Sequence, residues 1–268
     1  MKQLKLMTMA CLTMALMACS DDGDGNKPIA VCDTSQLVYD EQQTITEENG
    51  LTIYRDESGR VTGIQAFVTG QDNMEKLMSA PTSFEDIRYL FPLSEGNEIR
   101  LVGQGENPPI GEASGLGDLS DYPQYYEDYT QYYKGVPISN RCRINYFGTP
   151  QGKRMTYAML GPFIDVKNLD PTPTITEQKA RQVLADYLEV NRDDSWPCTL
   201  GIREYSTKKD GKIQRDVRLI YFVTGPYAPM EPYILYCMAP HYYAEVDAHT
   251  GQLVLFYELV EKSRKVEK

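Results

Sequence analysis

Two histidines, His241 and His249, are all the imidazole this chain has, and neither falls in a His-Glu-x-x-His helix. A zinc hydrolase site of that type needs two imidazoles one helical turn apart with a glutamate between them. The same shortage weighs against Ser/His/Asp and Cys/His triads, whose base near neutral pH is most often histidine. His249 stands inside Asp247-Ala-His-Thr-Gly251, where a solvent-facing turn residue is the plainer reading. Gly111-Glu-Ala-Ser114-Gly115 misses the G-x-S-x-G nucleophile elbow by one position. Carboxylates are plentiful, but no spacing selects a pair for glycosidase work. The sequence therefore predicts no catalytic residues, no metal and no cofactor, and not an enzyme.

Six cysteines are present. Cys11 and Cys19 belong to an amino-terminal leader and its boundary, which leaves Cys32, Cys142, Cys198 and Cys237. An even count in an exported chain is compatible with two disulfides, and four cysteines allow three connectivities. Cys198 and Cys237 lie on segments expected in one sheet, and their pairing would leave Cys32 with Cys142; the other two connectivities remain open. No CxxC pair occurs, which disfavours a zinc knuckle.

The amino terminus reads as an address. Lys2 and Lys5 precede an apolar run from Leu6 to Ala18, too short to span a bilayer and shaped like a signal peptide. It ends in Leu16-Met17-Ala18-Cys19, which resembles the lipobox of bacterial lipoproteins, with Cys19 as the acylated residue. Residues 1–18 are thus expected to be removed, and Cys19 to hold the protein on a membrane without spanning it. Ser20 to Gly25 is an acidic, glycine-broken tether, and 19–50 as a whole reads as tether and linker. The tether resembles the signal that sends some lipoproteins to the outward face of the outer membrane. Of 27 basic residues, Lys2 and Lys5 fall in the leader, so 25 remain against 38 acidic ones. Such a surface disfavours nucleic acid and anionic lipid and would steer a basic partner.

The elements emerge from local signals. Leu51 to Arg55 and Val61 to Val68 are β-rich runs around Asp56-Glu-Ser-Gly59, a hairpin signal. Thr82 and Ser83 open a short helix with Phe84, Ile87, Leu90 and Phe91 near helical spacing. A strand is expected at Glu98 to Gly103, then a long loop over 104–121 rich in Gly and Pro. Tyr122, Tyr125, Tyr126, Tyr129, Tyr132 and Tyr133 come next, spaced as one helical face, although tyrosine favours strands and Gly135-Val-Pro137 would stop a helix. Strands are expected at Arg141 to Phe147 and Lys153 to Leu160. The clearest element is a helix opened by Thr176 as N-cap, with Ile175 as a hydrophobic staple and Ala180, Val183, Leu184, Tyr187 and Leu188 as one buried stripe. Thr199 to Tyr205 and Lys212 to Thr224 flank the turn Lys208-Lys-Asp-Gly211. Short strands at Tyr233 to Met238, His241 to Val246 and Leu253 to Val260 complete the pattern.

Three landmarks in this order, Tyr129-Thr-Gln-Tyr-Tyr-Lys-Gly-Val-Pro-Ile138, the helix from Thr176, and Tyr243-Ala-Glu-Val-Asp-Ala-His-Thr-Gly251, resemble the FTP and PepSY prosegment of thermolysin-type metalloproteases. The resemblance implies an α+β fold of two tandem helix-on-antiparallel-sheet, cystatin-like units, over 51–160 and 161–260, with 261–268 as a charged tail. It also implies a strand from Glu127 to Lys134. No metalloprotease sequence occurs before Lys268, so a prosegment-like body would bind and inhibit or chaperone a secreted protease in trans, with Glu258, Leu259, Val260 and Glu261 approaching its cleft. The alternatives are a surface module for a glycan or host protein, using Tyr122, Tyr125 and Tyr126 and the 104–121 loop, and a structural envelope lipoprotein.

Overall fold

The computed structural model describes residues 44–48, 51–65, 79–107, 123–149, 152–160, 163–209, 212–225 and 242–258. In chain order the strands are β1 Thr44–Glu48, β2 Leu51–Arg55, β3 Val61–Gln65, β4 Asn97–Asn107, β5 Gln124–Tyr133, β6 Val136–Thr149, β7 Gly152–Leu160, β8 Cys198–Lys209, β9 Lys212–Thr224, β10 Tyr242–Asp247 and β11 Leu253–Glu258. Among the described residues helix α1 spans Glu177–Leu188 and a 3-10 segment spans Glu85–Leu90.

The strands form one connected sheet in the order β1-β2-β3-β7-β6-β8-β9-β10-β11, with β5 also on β6 and β4 on β5. This overturns the expected pair of tandem helix-on-sheet units: the molecule is mostly β, and its two halves share a strand. β6 is that strand. Its later residues pair antiparallel with β7, Cys142 opposite Leu160 onward, while Ile138 near its start pairs parallel with Ile202 of β8. Turn chemistry and periodicity are local signals, and a single parallel bridge between residues so far apart in sequence leaves no local trace.

The helix expected near Phe84 shrinks to the 3-10 segment. Only Ile87 and Leu90 of its six residues are buried, beside the flanking Phe84 and Phe91. Four aromatic and aliphatic contacts are enough to dock one short turn, whereas a longer helix would need further apolar turns that this segment lacks. Thr44–Glu48, read as linker, is a strand on β2 with all five residues exposed. Gln104–Asn107, read as loop, continues β4 opposite Glu127 to Gln124. Positions 108–122 lie outside the described residues.

Other expectations match the structure closely. The Thr176 hydroxyl accepts the Lys179 N–H at 3.2 Å, and Ala180 and Leu184 of α1 are fully buried against β8, β9 and β10. At the Asp247 turn, the carboxylate accepts the backbone N–H groups of His249 and Thr250 at 3.0 and 2.8 Å, and Gly251 takes φ 76°. Between β2 and β3, Asp56 accepts the Ser58 and Arg60 N–H groups in the same manner, at 2.9 and 3.1 Å.

Two cores lie on one side of the sheet. The first gathers Ile53, Ile64, Phe84, Ile87, Ile144 and Phe163; the second gathers Ile138, Leu184, Trp196, Ile202, Leu219 and Val246. Ile138, Cys142 and Ile144 share one parity along β6, so both cores and α1 occupy the same inner side. Pro137, Ser139, Arg141 and Arg143 alternate with them and point outward.

The crossover from the first half to α1 is held by side-chain amides. Gln131 is fully buried; its Oε1 accepts the Ile164 N–H at 2.8 Å while its Nε2 donates to the Ile164 carbonyl and to Asn97 Oδ1. Asn97 repeats the device on Val166, donating to its carbonyl at 2.9 Å and accepting its N–H at 3.2 Å. Asp165 accepts from the Ser94 N–H and hydroxyl at 2.7 and 3.0 Å. Each amide stands in for a neighbouring strand, satisfying backbone groups that burial would otherwise leave orphaned. A second tie is ionic. Asp56 meets Arg60 at 3.0 Å and Arg215 at 2.8 Å, and Arg60 reaches Glu204 at 2.7 Å.

Candidate binding face

A two-residue turn sets the geometry of the outer face. Lys134 and Gly135 connect β5 to β6 with φ of 47° and 85°, the positive pair that tight hairpins favour. The Tyr-Tyr-Lys-Gly-Val-Pro landmark thus has hairpin chemistry as its cause.

Because β5 is a strand, the tyrosine cluster splits between two faces. Tyr125, Tyr129 and Tyr133 point inward, and the Tyr129 ring sits 4.7 Å from that of Phe84. Tyr126 and Tyr132 point outward, each under an arginine. The Arg143 guanidinium lies 4.2 Å from the Tyr126 ring centre and grips Asp128 through two bonds of 2.7 and 2.8 Å. The Arg100 guanidinium lies 4.3 Å from the Tyr132 ring centre and bonds Glu98 at 2.8 Å. Gly105 makes room for Tyr126: a Cβ there would stand 2.8 Å from the phenol oxygen and 2.9 Å from Cε1. Cation and ring hold each other in place, and the carboxylate fixes the guanidinium plane. Hydrogen bonds from Arg143 hold the Asp128 carboxyl below the usual carboxylate range, with the charge of Arg141 adding to the effect.

Between these two stacks the sheet opens. Thr130 pairs with Arg141 and Tyr132 with Pro137, so three residues of β6 face the one residue Gln131 of β5. β6 bows away there to reach β8, and the gap is a cavity of about 570 Å³. Val102, Tyr132 and Pro137 give it apolar walls, the backbone near Ile138 closes its floor, and Thr130, Ser139, Asn140 and Arg141 give it donors. Val102 is itself the extra residue of a bulge in β4, where it and Leu101 are 51% and 48% exposed. The far wall is braced from β8: Arg203 donates to Ser139 Oγ at 3.3 Å and approaches Glu245 at 3.7 Å. Glu245 is fully buried and accepts the hydroxyls of Tyr205 and, at 2.9 Å, Tyr243. Burial, then the carboxylate itself, pushes both phenols well above their usual range.

Around the cavity four arginines, Arg100, Arg141, Arg143 and Arg203, face three carboxylates, Glu98, Asp128 and Glu245. Arg141 is exposed and, among the described residues, has no carboxylate within ion-pair distance. Asp128, its nearest acid across the ladder, is occupied on both oxygens by Arg143.

Of the residues singled out by sequence, Tyr126 lies on this face, Tyr125 lies inward with Lys153 5.1 Å from its ring centre, and Glu258 ends β11. Tyr122, Leu259, Val260 and Glu261 lie outside the described residues, as do Cys19, Cys32 and Cys237. Cys142 and Cys198 are free thiols, the first buried in the inner core, where burial pushes its thiol up. Sequence reasoning missed Arg100, Arg141 and Arg143. Their signal was available: Arg141-Cys-Arg-Ile read with a period of two puts both arginines opposite two core residues. No helix among the described residues is long and apolar enough to cross a membrane. In comparisons with known proteins, no family model, no curated protein and no solved structure matches this chain.

Proposed function

We propose that this protein is a non-catalytic binding module that docks an extended, acidic segment of a partner protein across the outer faces of β4, β5, β6 and β8. One observation carries the reading: in a chain of net charge -11, the outer faces of β4, β5, β6 and β8 gather Arg100, Arg141, Arg143 and Arg203 against the acids Glu98 and Asp128, and Arg141 has no carboxylate partner among the described residues. Arginine stacked on tyrosine is the combination that anchors protein interfaces, offering a rigid, partly apolar plane with directed donors. Local opposite charge at contact range fixes register, although the net charge of the chain gives an acidic segment no long-range attraction.

The lipobox-like Leu16-Met17-Ala18-Cys19 supports a position outside the cytoplasm, on a membrane through a lipid at Cys19. A secreted protease met by the tail from Glu258 is a different reading, and Leu259, Val260 and Glu261 lie outside the described residues. We place the partner on the arginine face because that face is built from described residues.

The test is fluorescence anisotropy with peptides blocked at both ends, one acidic with alternating apolar residues and one basic of equal length. The acidic peptide is expected to bind, to weaken as salt rises, and to weaken further with Arg143→Glu. Tighter binding of the basic peptide would contradict the reading. So would turnover of a peptide or ester substrate that a single substitution abolishes.

A further inference from the structure

The cavity itself has a narrower chemistry than the face around it, and a ligand assigned to it rests on the reading of that face as a docking surface. We infer that the cavity between Val102, Tyr132 and Arg141 is a site for the free carboxyl terminus of an extended peptide that ends in an apolar residue.

Charge selects a carboxylate. Among the described residues no acidic side chain lines the cavity, and the charged group there is the Arg141 guanidinium. The neighbouring arginines are each committed: Arg100 to Glu98, Arg143 to both oxygens of Asp128, Arg203 to Glu245 and Ser139. A carboxylate arriving at Arg141 supplies the fourth acid for the fourth arginine, and a planar guanidinium suits it through two parallel N–H donors. The Thr130 and Ser139 hydroxyls stand on the same outward face and can donate to the remaining carboxylate lone pairs.

Shape selects an apolar end residue. Val102, Pro137 and the Tyr132 ring are apolar surface placed beside that cation, so the best ligand joins a carboxylate to an aliphatic side chain. A peptide's last residue has this form, its side chain and carboxylate branching from one carbon. The volume of about 570 Å³ belongs to an open cleft and exceeds the needs of a single small acid.

The experiment is isothermal titration of the full chain at low salt with three probes: acetyl-Ala-Val-Leu with a free carboxylate, the same peptide as its carboxamide, and hexanoate. The free acid is expected to bind, and the carboxamide to bind about tenfold more weakly or worse, as loss of a charge-assisted pair implies. Arg141→Met should lower affinity for the free acid by a similar factor while leaving the thermal midpoint unchanged, because Arg141 is exposed. Equal binding of acid and carboxamide, or an unaffected Arg141→Met variant, would overturn the assignment. Hexanoate binding as tightly as the peptide would also overturn it, in favour of small organic acids. Absence of binding by every probe, with the blocked acidic peptide still held through Arg143, would remove the cavity site and leave the docking face standing.

Discussion

Replacing Gln131 with leucine tests whether side-chain amides hold the two halves of the sheet together. The two side chains are close in size, so the change removes polarity with little change in volume. Gln131 is 0% exposed, and the substitution strips the buried Ile164 N–H of its acceptor at 2.8 Å and the Ile164 carbonyl of its donor. It also removes the donor that reaches Asn97 Oδ1 at 3.1 Å, although Asn97 keeps Val166. A buried polar group left without a partner costs roughly 1–3 kcal/mol, so two orphaned backbone groups cost about 2–6 kcal/mol. Burying leucine instead of an amide returns roughly 1–2 kcal/mol. Taking the middle of each range, the net expectation is a loss of about 2.5 kcal/mol. Urea unfolding should show a lower midpoint with an unchanged slope, and hydrogen exchange should show faster exchange at Ile164 and Val166. Gln104→Leu, on an exposed position of β4, is the control and should stay within about 0.5 kcal/mol. If Gln131→Leu also stays within that margin, the amide ties do not hold the crossover.

Leu184→Ala on the buried face of α1 should cost about 2–5 kcal/mol by the same urea measurement, since the side chain is fully buried and its removal leaves a cavity. Asp56 gives a pH prediction. Burial alone would raise its carboxyl, but the Ser58 hydrogen bond and the charges of Arg215 and Arg60 outweigh it and hold the group below the usual carboxylate range. The stability it contributes is therefore present above about pH 4, the unfolded value, and is lost as pH falls through the lower folded value. Asp56→Asn should flatten the acid limb of a stability-against-pH curve below about pH 4, and a limb identical to that of the parent would refute the assignment.

What the sequence reveals is local. Thr176 and the stripe through Leu184 marked α1 because capping and helical periodicity are written in neighbouring residues. The Asp56 and Asp247 turns were legible for the same reason. The tyrosine cluster was ambiguous because its spacing happens to fit a helix. Only the length of β5 and its two-residue turn into β6 settle it as a strand with Tyr126 and Tyr132 on one face and Tyr129 on the other. The joining of the halves was illegible, since it depends on β6 bowing away from Gln131 to meet Ile202. The candidate site inherits that illegibility. Arg141 acquires meaning only where β5 and β6 part, and its lack of a carboxylate partner among the described residues arises because Arg143 has taken Asp128.

The most direct measurement is a chemical-shift titration of the isotopically labelled full chain with the blocked acidic peptide. Shifts should concentrate on Arg100, Thr130, Tyr132, Ser139, Arg141 and Arg143, with α1 and its packing face unmoved. Shifts centred on α1, or none at millimolar peptide, would contradict a docking face built on these arginines.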